Sequence, residues 1–465
     1  MYLRLLFLLL ILNAFTVLAQ STPDGTWDTS FDIGLGADET VKVIKELPDG
    51  KLIIAGLFTQ YDGQNVNQIA RLNHDGSLDT TFSAPFISDQ LTDVLIDGDK
   101  ILVTGYQVGP ARLNADGSLD TSFSTDLEYS KKIAKQGDKY IITGASAVAG
   151  TGVYYGGLLR LNNDGSLDET FSGTGIGTGT GNNGGGSAIN KTIVLSDNKL
   201  LVLGWFGFYN GAPANSVVRL NQDGTIDSTF IVPTGKIWGS VNNAVELPGG
   251  GYIITGSFVY VVGTEQRVFT AKIDNSGNFV AGFQVPWLYS ILGTSIALQN
   301  NGNVIIGGWA NGNNNYYRMV RLLPDGSTDT DFNLSGEFSP NGIECISLQD
   351  DYKILVAGRF TMFDNINRNR VARLNNDDKL SNDSFLNAGI SVYPNPTNGE
   401  VFMRGGHQLP ENSSVRVFNV EGRLLYEGSA SANNALTNLS GFDSGVYIIE
   451  ISGGNKTSIH KIIKS

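Results

Sequence analysis

Arg71-Leu72-Asn73-His74-Asp75-Gly76-Ser77-Leu78-Asp79-Thr80-Thr81-Phe82 is a phrase that this chain repeats. Copies end at Phe123, Phe171, Phe230, Phe283 and Phe332, a partial copy ends at Phe31, and a degraded one ends at Phe385. Eight phenylalanines therefore bound seven intervals of 51, 41, 48, 59, 53, 49 and 53 residues. Self-similarity at such a period marks a repeat architecture.

The order of elements also repeats within an interval. After Phe31 comes Val41-Lys42-Val43-Ile44-Lys45-Glu46-Leu47, alternating apolar and polar, then Pro48-Asp49-Gly50, then Leu52-Ile53-Ile54-Ala55-Gly56. That pattern predicts two strands joined by a tight turn. A polar stretch leads on to Gln68-Ile69-Ala70-Arg71-Leu72, a second tight turn, and Leu78 to Phe82. Four short antiparallel strands per interval are expected. The second turn fixes the register, because a three-residue loop of His74, Asp75 and Gly76 puts glycine at the left-handed position. This loop pairs Leu72 with Leu78 and Arg71 with Asp79, whereas a two-residue loop would set leucine against aspartate. It also places Ala70, Leu72, Leu78, Thr80 and Phe82 on one face. In the copy ending at Phe283 the arginine is Lys272 and the aspartate is Val280, while Gly277 is kept. Both ends of the expected ion pair are altered together.

Four-stranded units in this number predict an all-β chain, with a seven-bladed β-propeller over residues 20–385 followed by a small Ig-like β-sandwich over residues 386–465. Blades pack apolar faces on one another, each buried Leu or Phe contributing roughly 1.5–3 kcal/mol. The fragment from Asp24 to Phe31 reads as a fourth strand without its first three. It is expected to complete the last blade and so remove the open edges of the ring.

The Arg71 to Phe82 phrase, with Gly56-Leu57-Phe58-Thr59 and its counterpart Gly358-Arg359-Phe360-Thr361, resembles the delta-sixty repeat propellers of bacterial surface and secreted proteins over nearly all of residues 24–385. The resemblance implies the fold and attaches no catalytic residue to the repeat. Beyond it, Tyr393-Pro394-Asn395-Pro396 with Gly399, the strand around Gly422, the Gly445-Val446-Tyr447 step and the basic Lys461 and Lys464 form a different β pattern. This segment resembles the type A sorting domain of the type IX secretion system of Bacteroidetes-like bacteria. Such a domain implies recognition by the secretion machinery at the outer membrane, followed by removal as the cargo is released or fixed to the surface. An immunoglobulin-like binding module is the alternative reading. At the other end, the basic start Met1 to Arg4, the apolar run Leu5 to Leu12 and Val17-Leu18-Ala19 before Gln20 predict a cleaved secretory signal over residues 1–19. No later segment has the length and apolarity of a membrane helix. The expected location is the cell surface or the medium.

The chain has 465 residues, 58 of them Gly, and a net charge of -13. After Phe385 six acidic and six basic residues balance, so the negative charge belongs to the repeats. Nucleic acid and anionic membranes are therefore poor partners for the outer surface. The single cysteine, Cys345, rules out an internal disulfide and lies in an apolar-alternating strand, where a buried, inert thiol is expected.

Ligand-binding candidates come from the longer connections, which in a four-stranded blade emerge on one face. That face carries Tyr61, Tyr106, Trp205, Tyr209, Trp309, Tyr316, Tyr317 and Phe363. Flat rings beside Asn, Asp and Gly suit stacking on sugars. Against this, Tyr61-Asp62-Gly63, Tyr209-Asn210-Gly211 and Phe363-Asp364-Asn365 occupy one repeat position and also fit a structural turn. Asp62 and Asp364 fall on adjacent blades if the ring closes, and paired carboxylates are the machinery of glycoside hydrolysis. The three histidines, His74, His407 and His460, assemble neither a triad nor zinc spacing. Asn73 to Asp79 lacks the ligands of a calcium loop, and the glycines from Gly173 to Gly179 have no helix after them to bind phosphate. The expectation is a non-catalytic binding or structural protein without cofactor or metal, its ligand a glycan or a protein. A polysaccharide-active hydrolase or lyase is the rival, and a spacer or docking scaffold a third possibility.

Overall fold

Strands Val41–Glu46, Leu52–Gly56 and Ile69–Leu72 hydrogen-bond side by side in that order and form the first sheet of a computed structural model of the chain. The structure describes residues 24–88, 90–106, 108–144, 146–147, 154–155, 157–172, 188–233, 235–286, 291–310, 319–332, 338–339, 342–364, 366–376, 391–393, 397–404, 413–419, 423–429, 435–453 and 456–464. Six further three-stranded sheets repeat the plan, their first strands being Leu91–Asp97, Lys132–Gln136, Ala188–Val194, Ile237–Glu246, Ile291–Leu298 and Ile343–Leu348. All described regular structure is β, as the alternating pattern requires. The signal segment 1–19, the end of the last repeat at Phe385 and the glycine run from Gly173 lie outside the described residues.

The hairpin register is the one read from the glycine. Leu72 bridges Leu78, Asn73 N donates to Ser77 O at 2.8 Å, and Asp79 N donates to Arg71 O at 2.9 Å. The expected fourth strand is nevertheless reduced to that single bridge. Asp79 caps a turn instead, accepting from Thr81 N at 3.0 Å and Thr81 Oγ1 at 2.6 Å, and the chain bends before Phe82. Asp79 is buried and Thr80 exposed, the reverse of the expected alternation. Aspartate offers the backbone a side-chain acceptor two residues on, and that local bond prevails over extension.

What the sequence did not display is how sheets are joined. Arg71, Arg112, Arg160, Arg219, Arg321 and Arg373 each donate Nε to the aspartate of their own repeat at 2.6–2.8 Å and lie 4.4–5.2 Å over its phenylalanine. Nη1 then reaches forward to the turn of the next repeat: Arg71 to Ala115 O, Arg112 to Asn163 O, Arg160 to Gln222 O and Arg219 to Asn275 O. Arg373, in the seventh sheet, reaches His74 O of the first at 2.6 Å. A second set of links runs between backbones, such as Ser124 N to Asp164 O at 2.9 Å and Asp32 N to Asp75 O at 2.6 Å. The turn glycine serves these as well as its φ near +90°: a Cβ on Gly165 would stand 2.3 Å from Ser124 O.

Residues 25–28 pair with the third strand of the seventh sheet. Gly25 N donates to Asn375 O at 2.8 Å, Asn375 N to Thr26 O at 2.7 Å and Asp28 N to Arg373 O at 2.9 Å, and Trp27 bridges Leu374. Asp28, five residues into the described chain, supplies the aspartate that Arg373 needs. Cys345 is half-buried rather than buried, its Sγ 3.8 Å from Ile44 O.

The chain divides into two compact units, and the second contains the C-terminal strands. There Ser391–Tyr393, Glu400–Arg404 and Ala435–Asn438 form one sheet. Leu424–Ser429, Ser414–Asn419, Gly445–Gly453 and Lys456–Lys464 form another, in that order. Val401, Val415, Val417, Leu439, Tyr447, Ile449, Ile451 and Ile462 make one core.

Candidate functional site

The Tyr61, Tyr209 and Phe363 rings are interior. They are at most 2% exposed, and each sits in a miniature hairpin such as Gln60–Tyr61 with Gln64–Asn65. The turn residues between have positive φ, 47° at Asp62 and 72° at Gly63, 49° at Asn210 and 79° at Gly211, and 52° at Asp364. Asn-Gly and Asp-Gly steps favour this backbone. Tyr61 donates its hydroxyl to Gly76 O at 2.8 Å, and burial, then the nearby Asp62 charge, push its phenol above the ordinary range. Phe363 packs 4.6 Å from Phe338. None of the three rings can stack on a ligand, so these expectations are corrected. Asp62 is exposed but engaged, since its Oδ1 accepts from Leu35 N at 2.9 Å. Leu35 O in turn accepts from Asn369 Nδ2 of the seventh sheet, so the segment from Leu35 runs between the turn of Asp62 and that sheet. Asp364 is exposed. Tyr316 and Tyr317 lie outside the described residues.

A different repeat position carries the accessible rings. Near the ends of the second strands Gly56, Gly105, Gly204 and Gly358 lie opposite a β-bulge in the first strand, and Gly308 makes the same close approach to a first-strand carbonyl. A carbonyl of the first strand occupies the Cβ position: Ala188 O would be 2.1 Å from a Cβ on Gly204. Bulges re-aim side chains. The residues that follow these glycines are Leu57, Tyr106, Trp205, Trp309 and Arg359. Tyr106 and Trp205 are 42% and 52% exposed. Half-buried Trp309 has the Arg359 guanidinium 5.3 Å from its ring centre. Tyr129 meets Tyr106 edge to face at 5.3 Å, and its phenol is pushed up to about 12 by burial and by Tyr106.

Trp238, 52% exposed, was missed because Ile237-Trp238 looks like an ordinary strand start. Its signal is the alternation of a buried Ile237 with an exposed Trp238 in the 10-residue strand Ile237–Glu246.

Charge gathers beside these rings on the first strands. At the bulge, Glu344 accepts from Lys42 Nζ at 3.0 Å and from Arg359 Nε at 2.7 Å. Its carboxyl stays below the ordinary range because the two cations outweigh burial. One step deeper, buried Asp93 has Lys191 Nζ at 3.4 Å and Lys132 Nζ at 4.0 Å. Burial raises the Asp93 carboxyl, but Lys132, Lys191, Lys45 and the Ile133 amide together hold it low. Hydrogen bonds tie most neighbouring first strands: Thr92 Oγ1 to Lys131 O, Asn190 Nδ2 to Val241 O, Asn242 Nδ2 to Gly293 O and Thr294 Oγ1 to Ile343 O.

Comparison with known proteins agrees with this geometry. Residues 47–82, 99–123, 136–171, 195–230, 299–332 and 349–380 match the family described as "Domain of unknown function (DUF5122) beta-propeller", and residues 391–465 match the "Secretion system C-terminal sorting domain". The chain is built of DUF5122 β-propeller repeats and ends in a secretion sorting domain. The unmatched repeat is the one with Lys272 and Val280. The tail is of the type A class of the type IX system and fits a Bacteroidetes-like source, so this is a protein exported to the cell surface or beyond. Among the described residues no helix is long and apolar enough to cross a membrane.

Three solved structures are similar in outline. PorZ of Porphyromonas gingivalis, described as a surface component of the type IX system, is 13% identical over 92% of this chain and 66% of its own, with TM-score 0.39. The extracellular domain of the putative one-component system BT4673 of B. thetaiotaomicron is 15% identical over 94% and 52%, with TM-score 0.46. The computationally designed Ika8 protein is 10% identical over 76% and 99%, with TM-score 0.43. This chain thus spans about two thirds and half of the length of the first two. Among curated proteins none matches.

Of the sorting residues, Pro394, Asn395, Pro396 and Gly422 lie outside the described residues, as do the side chains of Tyr393 and Lys461. Gly399 accepts Leu439 N through its carbonyl at 2.9 Å, and Tyr447 donates its hydroxyl to Asp443 O at 2.7 Å. Gly445 pairs with Lys464 in the last hairpin. These contacts hold the tail's own core together.

Proposed function

We propose that the seven sheets are blades of one closed, seven-bladed propeller of the delta-sixty type and that the tail is an Ig-like sandwich serving as an address. The exported protein is a non-catalytic binding module whose rim stacks on carbohydrate. What carries this reading is the recurrence of an accessible ring at one bulge-aimed position, in Tyr106, Trp205 and Trp309, while the rings of the repeated turn are folded inward. Leaving a tryptophan half in water forgoes much of the roughly 1.5–3 kcal/mol its burial would contribute, so repeated exposure calls for a ligand. Binding rather than turnover is favoured because Glu344, the carboxylate beside Trp309 through Arg359, is engaged by two cations.

A glycan array on the full chain, run beside a polysaccharide activity screen, tests this. Binding without turnover is expected, with Trp205→Ala weakening it about tenfold and leaving the melting temperature unchanged. Turnover abolished by Asp62→Asn or Asp364→Asn would replace the reading with a hydrolase or lyase. Silence in both assays would favour a docking scaffold.

A further inference from the structure

The rim aromatics and the first-strand lysines belong to the same hairpins. Trp205 pairs with Ala188, and Lys191 lies three residues along that strand, past the bulge. Tyr106 N donates to Gln90 O, and Asp93 lies three residues along that strand. With one residue of each three looped out, the charged layer sits on the order of 7 Å below the rings. On or just before this part of the first strands stand Lys42, Lys131, Lys132 and Lys191, with Lys45 further along its strand, against Asp93 and Glu344. The other first-strand acids, Glu46, Asp97 and Glu246, lie at the opposite strand ends. There they are held by Gln349, Lys135 with Tyr140, and Ser196 respectively. Glu344 is matched by Lys42 and Arg359, which leaves Asp93 to serve Lys45, Lys132 and Lys191. The Lys132 and Lys191 side chains are each 27% exposed, so water reaches them.

We infer that the ligand is an acidic glycan, its sugar faces on Tyr106, Trp205 and Trp309 and a carboxylate or sulfate lowered onto Lys45, Lys132 and Lys191. This deepens the proposed function and rests on it. The protein carries a net charge of -13, and among the described residues the first-strand lysines form a cluster with a surplus of positive charge that an anion can meet. A partly dehydrated ammonium cluster with a surplus of charge is complementary to an anion that brings no counter-cation.

Isothermal titration of the full chain with a galacturonic acid hexamer, a sulfated hexasaccharide and cellohexaose decides it. The acidic hexamers should bind about tenfold more tightly than cellohexaose, and raising salt from about 50 to 500 mM should erase the difference. Sodium sulfate should compete with the acidic hexamers and not with cellohexaose. The pair Lys132→Gln and Lys191→Gln, which leaves Asp93 balanced by Lys45 alone, should lose the preference while retaining cellohexaose. Equal or tighter binding of cellohexaose by the unaltered protein overturns the inference and leaves the carbohydrate reading standing. No binding of any hexamer overturns both.

Discussion

Removing the carboxylate of Asp28 should loosen the seventh sheet and its link to the first, because that one group reaches the last sheet from far along the chain. It accepts from Arg373 Nε at 2.7 Å, Lys353 Nζ at 2.7 Å, Ser30 N at 3.0 Å and Ser30 Oγ at 2.7 Å. Arg373 is 2% exposed and lies 4.6 Å over Phe31. Asp28→Ala strands this guanidinium, and breaking a buried pair from one side costs about 3–5 kcal/mol. For a repeat unit of this size the melting temperature should fall by roughly 4–7 °C. Burial alone would raise the Asp28 carboxyl, but the bonds from Lys353, Ser30 and Arg373 hold it well below the ordinary carboxylate range. A depressed folded pKa stabilises above the unfolded value of about 3.9 and is lost as pH falls below it. Urea unfolding from pH 7 downward should therefore show the full penalty at neutral pH and a shrinking one below about pH 4. Exposed Asp99→Ala should be silent. If Asp28→Ala matched Asp99→Ala within about 0.5 kcal/mol at pH 7, the Arg–Asp clasp would not be what closes the last sheet.

Lys272→Arg with Val280→Asp should restore the missing link between the fifth and sixth sheets and raise stability by on the order of 1 kcal/mol in urea unfolding. The existing backbone link there, Gln284 N to Asp325 O, is the longest of its set at 3.2 Å. Gly165→Ala should cost at least about 1 kcal/mol more than Gly50→Ala. Both glycines have positive φ, but only at Gly165 does the neighbouring repeat block a Cβ, as differential scanning calorimetry of the two variants will register.

The reach of the sequence followed the range of the interactions. Glycine and aspartate act within a few residues, so the phrase from Arg71 to Phe82 revealed the loop of His74 to Gly76 and the Leu72–Leu78 pairing. Its reading of a full fourth strand failed at Asp79, where a side-chain acceptor competes locally with extension and alternation cannot report it. The aromatics of the candidate site were half legible. Trp205 and Tyr61 are equally apolar in sequence, yet a bulge turns one outward and a tight hairpin folds the other in.

By itself, then, the sequence determined the repeat, its all-β character, the hairpin register and the export address, since each is written in residues near one another along the chain. Tertiary structure alone decided which rings meet water, which arginine clasps which turn, and where the lysines collect. Those depend on backbone carbonyls and side chains some fifty or, at Arg373 and Asp28, 345 residues apart. No local pattern encodes such a meeting.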